Sequence, residues 1–123
     1  MSQTKPFDIN ALKSALLKPT NTAVQTELFG ASVYIRRITG KELMDYDNAI
    51  AEAQDKGDMT AISNVSLGLV LKALVNPDGS PIPKKLLPTV DELLTVHANP
   101  ELMKAINKVK SHSLGTLEEA EKN

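Results

Sequence analysis

Residues 60–75, TAISNVSLGLVLKALV, place Ile62, Val65, Leu67, Leu69, Val70, Leu71, Leu74 and Val75 in one uninterrupted run. Sixteen positions without a turn signal is long for a strand, so a helix is expected, although Gly68 and the β-branched residues suit a strand. The second half is apolar nearly all round, and a helix of that kind is the one other helices pack on. The leucine-rich face of 62–75 is therefore expected in the core, with a partner groove as the alternative.

The flanks punctuate this run. Asn76-Pro77-Asp78-Gly79-Ser80-Pro81 is dense turn chemistry, and the chain must reverse there. Upstream, Thr39 and Glu42 have the spacing of a reciprocal helix cap, and Lys56-Gly57-Asp58 supplies a stop. Between them Leu43, Tyr46, Ile50 and Ala53 share one face, opposite Asp45, Asn48, Glu52 and Asp55. Thr89 with Glu92 repeats the cap and opens a helix through Val90, Leu93, Leu94 and Val96. Asn99-Pro100 caps another, carrying Leu102, Met103, Ile106 and Val109, until Ser111 to Gly115 break it.

Nearer the start, Val24, Thr26 and Leu28 alternate against Val33 and Ile35 across Gly30-Ala31, which reads as a β-hairpin. Asp8 stands as an N-cap before Ile9, Leu12, Leu16 and Leu17, predicting a short helix that ends at Lys18-Pro19. The fold class is mainly α: a small helical domain with an N-terminal β-hairpin. It divides into an N-terminal helical arm over 1–20, the helical domain with its hairpin over 21–115, and a flexible C-terminal tail over 116–123. Whether the arm packs on its own domain or swaps onto a neighbour stays open.

Signs of chemistry are sparse. A net charge of -1 gives no pull toward nucleic acid or an anionic membrane, and the absence of cysteine removes thiolate catalysis and sulfur-ligated zinc. It also points to a reducing compartment. No stretch is apolar enough to span a bilayer or serve as a signal core, so a soluble intracellular protein is expected. Gly40-Lys41 is no phosphate loop, because Ile35 stands where its first glycine belongs and Glu42 where a hydroxyl residue should follow. The Asp78-Gly79 turn lacks the ligands of a calcium loop, with Lys85 where a glutamate belongs. His97 and His112 lie on separate segments without partners at i+4, and are expected at helix ends or facing solvent. Ser14, Ser63, Ser66 and Ser80 lack a nucleophile-elbow context. Arg36, Arg37, Lys84, Lys85, Lys104, Lys108 and Lys110 form no single patch and are expected as solvated surface. No catalytic, cofactor-binding or metal-ligating residue is assigned, no cofactor is implied, and the chain is not expected to be an enzyme.

The order of segments from residue 24 onward resembles the tail assembly chaperones of long-tailed bacteriophages and prophages. The likeness rests on the hairpin leading into VYIRRITGKEL, with Arg37 and Glu42 flanking the first long helix. It continues through the apolar helix running into ALVNPDGSPI, the helix starts at TVDELL and NPELM, and the closing LEEAEKN. The resemblance implies a protein that binds and solubilises the helical tape measure protein and promotes assembly of the tail tube around it, without catalysis. It further implies self-association into an oligomer, residence in the host bacterial cytoplasm and absence from the mature virion, with no nucleic-acid or membrane partner. A small helical regulator binding DNA is the alternative, but it should display a basic recognition helix, whereas the last two predicted helices hold scattered lysines among Glu92 and Glu101. A generic protein-binding adaptor is another, and a small hydrolase lacks any nucleophile–base pair.

Members of the resembling family are also made in a longer form, by a programmed frameshift that appends a domain recruiting the tail tube protein. Lys122-Asn123 is compatible with the slippery run A-AAA-AAC. If this terminus is such a junction, sequencing the gene should find Lys122 encoded by AAA; AAG there would place the slip elsewhere or remove it.

Overall fold

The computed structural model describes residues 7–18 and 23–114. Within them the chain forms α1 (Leu12–Leu16), β1 (Val24–Leu28), β2 (Ala31–Ile35), α2 (Gly40–Lys56), α3 (Met59–Ala73), β3 (Leu74–Val75), α4 (Val90–Val96) and α5 (Asn99–Leu114), with a 3-10 turn at Lys84–Leu86. The fold is mainly α, as expected, and carries a small antiparallel sheet in the order β1-β2-β3.

α3 is the helix on which the others pack. Asp58 caps it by accepting from the Ala61 N–H, and α2 and α5 lie against it. Leu67 and Val70 are 1% and 0% exposed and meet Leu102, Ala105, Ile106 and Val109 of α5, together with Tyr46 of α2, in one core. Each fully buried Leu, Ile or Val among them contributes about 1.5–3 kcal/mol. Lys110 of α5 also sits 5.4 Å from the centre of the Tyr46 ring, a cation–π contact across the α2–α5 side of the core.

Both reciprocal caps form. Thr39 Oγ1 accepts from the Glu42 N–H while Glu42 Oε1 accepts from the Thr39 N–H, and Thr89 and Glu92 repeat the pattern at α4. Gly57, at φ 66, ends α2 in the left-handed conformation that glycine adopts without strain. The hairpin has the expected faces, with Val24 opposite Ile35 and Thr26 opposite Val33. Its turn residues, however, are Phe29 and Gly30, and Ala31 already belongs to β2.

Several expectations need correction. The apolar helix stops at Ala73, and Leu74–Val75 become a third strand, with Tyr34 opposite Val75 and Ile35 opposite Leu74. Pro77 disfavours helical backbone at Asn76, and the extended chain gains partners from β2 instead. The N-terminal helix begins at Leu12 rather than after Asp8, whose carboxylate instead accepts from the Asn10 N–H in a preceding turn. α5 starts at Asn99, so Pro100 is its second residue. It also runs through Ser111 and His112 to Leu114, because Ser113 Oγ accepts from the Ile38 N–H at 2.9 Å and secures the last turn. The tail expected over 116–123 lies outside the described residues.

Arg36 is not solvated surface. Its guanidinium grips Glu42 with two parallel bonds of 2.9 Å, and the two side chains are only 18% and 27% exposed. Glu42 thus serves both the Thr39 cap and the Arg36 pair. Donation by Arg36 is the main reason its pKa falls from an ordinary 4.5 to about 2, helped by the Thr39 N–H and opposed by partial burial. Because the folded-state value is the lower one, the stabilisation is complete above about pH 4.5 and is lost as pH falls toward about 2. Glu42→Gln keeps the cap but not the charge, and should cost about 1 kcal/mol at pH 7, with Glu42→Ala costing about 2. Urea unfolding as a function of pH should show the wild type losing its advantage over Glu42→Gln in that acid window; a constant difference would mean that the pair is not the source.

Candidate functional site

Not all of the apolar run is covered. Leu71 and Leu74 turn partly away from the core, and between them, the sheet and the chain after β3 lies an open apolar groove. The chain bonds Asn76 N–H to Ser80 O and Gly79 N–H to Asn76 O, at 2.9 and 2.8 Å, and so doubles back on itself. Asp78 holds this turn by accepting from the Ser80 N–H and hydroxyl, which lowers its pKa below the usual carboxylate range. Residues 81–88, PIPKKLLP, then pass alongside α3 and β3 as one wall of the groove, before Thr89 opens α4.

The groove has two adjoining parts. One, of about 680 Å³, lies between the hairpin and α4, with Leu28, Phe29, Val33, Leu93 and Val96 among its lining. The other, of about 1010 Å³, lies between the end of α3 and the 81–88 wall. Both are bordered by Leu71, Leu74, Val75, Ile82, Leu87 and Pro88, and both are lined mainly by apolar atoms. Such an open trough is suited to the apolar face of an incoming helix.

Phe29 borders the groove and also packs against the core. It sits at φ 55 in a two-residue turn that favours Asn or Gly, and a side chain held there costs about 1–2 kcal/mol. Its ring stacks on His97 at 4.4 Å between centroids, at the edge of the first part of the groove. Sequence spacing showed the turn but not this ring, whose only signal is a bulky aromatic where a hairpin prefers a small polar residue.

The remaining polar residues do not converge. His97 caps the end of α4, whereas His112 lies in the last turn of α5. Ser66 is buried in α3, and Ser80 belongs to the Asp78 turn. Lys108, expected in solvent, donates to the Glu27 carbonyl at 2.7 Å and ties α5 to the hairpin. Arg36 rather than Arg37 engages Glu42. Among the described residues no three His, Asp or Glu side chains cluster as metal ligands, and no helix is long and apolar enough to cross a membrane.

A family model described as phage tail assembly chaperone protein, TAC, matches residues 11–123, nearly the whole chain. No curated protein and no solved structure matches.

The groove-side and core-side positions of α3 should separate in stability. Leu67→Ala should cost about 2–5 kcal/mol, and Leu71→Ala under about 1.5, since Leu71 leaves no closed cavity behind. Urea midpoints at unchanged m-value would measure this; equal losses would place Leu71 in the core.

Proposed function

The chain belongs to the phage tail assembly chaperone family, and on that premise we propose that it binds the tape measure protein, keeps it soluble, and promotes tail tube assembly around it without catalysis. The observation that carries this reading is the apolar groove beside α3, walled by residues 81–88 and α4. A tape measure protein is a long helix with apolar stripes that would aggregate before the tube covers it. A groove laid on one stripe removes that surface from water, and repeated copies along the helix multiply the hold without high affinity in any one of them. Weak individual contacts let the arriving tube protein displace the chaperone copy by copy, and the chaperone is then absent from the mature virion. The work takes place in the host bacterial cytoplasm, where the tail proteins are made. Self-association between neighbouring copies and a frameshifted longer form reaching the tail tube protein belong to the same proposal.

Two groove variants test it, each first checked by its urea midpoint because Phe29 also packs against the core. Phe29→Asn suits the turn and removes the ring, and Val96→Glu alters a side chain that is 74% exposed. Co-expressed with its cognate tape measure protein, the wild type should keep that protein soluble and co-purify with it. Each variant should reduce the soluble yield by about fivefold or more, as loss of about 1 kcal/mol per site predicts. A tape measure protein that stays insoluble beside a well-folded wild type would overturn the proposal; solubility undiminished by both variants would move the binding face elsewhere.

A further inference from the structure

We propose that the groove selects amphipathic helices whose apolar stripe is bordered by Asp or Glu, with Lys72, Lys84 and Lys85 as the selecting rim. The inference rests on the docking role proposed above and names the chemistry of what docks. Lys72 stands on α3, and Lys84 and Lys85 on the 3-10 turn of the 81–88 wall; all three are exposed and line the larger part of the groove. None makes an ion pair among the described residues. Lysines on α2 behave differently: Lys41 lies 3.6 Å from Asp45 and Lys56 2.9 Å from Glu52.

Arg36, the other cation of this larger part, is neutralised by Glu42. Glu92 accepts from the Thr89 N–H and keeps its negative charge, but it lines the smaller part of the groove at the α4 end and not the part that holds the lysines. An apolar floor beside uncompensated cations favours a ligand that brings carboxylates along its apolar edge. Charge also decides between occupants. The chain's own arm exposes Phe7, Ile9, Leu16 and Leu17, but it carries Lys13 and Lys18 and would set like charges against the rim. The outer face of α2 has Asp45, Asp47, Glu52 and Asp55, yet Met44 is its one large exposed apolar side chain, too little to fill the groove of a second copy. A partner helix that is both apolar and acid-edged satisfies both parts.

The test uses the full chain and fluorescein-labelled helical peptides of about 18 residues, with one leucine stripe and edges of Glu, Gln or Lys. Anisotropy titrations should rank them Glu, then Gln, then Lys, with about tenfold between first and last at low salt and less at high salt. Reversing the rim in a Lys72→Glu, Lys84→Glu, Lys85→Glu variant should invert the order, whereas Phe29→Asn should weaken all of the peptides together. Equal binding of the peptides, or an order that survives reversal, overturns the rim. Sedimentation showing self-association that the reversal abolishes would make a second copy the occupant, and binding seen only after removal of residues 1–18 or 115–123 would make it the chain's own segment; either overturns the proposal. A tape measure protein solubilised with no preference for acidic edges would sink the rim but leave the chaperone role standing, and the converse would do the opposite.

Discussion

Arg36 leaves β2 with its backbone N–H donating to the Ala73 carbonyl at 2.9 Å and its guanidinium forked on Glu42, so that one residue joins the sheet, the end of α3 and the start of α2. The last carbonyls of a helix need partners outside it, and here the strand provides one. Because α3 is caught at Ala73, the next residues can leave as β3 rather than continue as helix. That departure swings the Asn76–Pro81 turn and the 81–88 wall away from the core, leaving Leu71 and Leu74 beside open space. The same ion pair that stabilises the junction therefore also fixes one end of the groove, where Arg36 is part of the lining.

What could be read from the sequence was local. The Thr39–Glu42 and Thr89–Glu92 caps, the Gly57 stop and the alternation of the hairpin are each decided by residues within a few positions of one another, and all are present. What escaped depends on distant parts of the chain. β3 exists because β2 offers an edge far upstream, the last turn of α5 is held by the Ile38 N–H, and Lys108 meets the Glu27 carbonyl across the fold. Arg36 and Arg37, neighbours with opposite faces in the alternation, are alike in composition, and nothing local says which face meets Glu42; β2 ends at Ile35, and Arg36 is the one that grips it.

The apolar run illustrates the limit for the site. Its hydrophobicity predicts burial, and Leu67, Leu69, Val70 and Ala73 are buried. Yet a helix apolar on nearly every side has more apolar surface than its neighbours can cover, and α4, with seven residues, is too short to close the side that faces β3. Core and groove are therefore two faces of one helix. Periodicity could not divide them, since division depends on where α4 and the 81–88 wall come to rest.

The wall itself suits a surface that must bind and let go. Pro81, Pro83 and Pro88 hold it with fixed φ angles, an antiparallel bridge pairs Pro81 with Val75 of β3, and the 3-10 turn adds hydrogen bonds such as Leu86 N–H to Pro83 O at 2.9 Å. A segment stiffened in this way loses little conformational freedom when a ligand arrives, so the modest apolar contact of one groove is not spent on ordering the chain. In the proposed role, a wall already held this way asks for no rearrangement on binding or on release. Displacement in that proposed role is a direct competition between the tube protein and the groove for the same helical stripe, one copy at a time, while the copies still bound keep the rest of the stripe out of water.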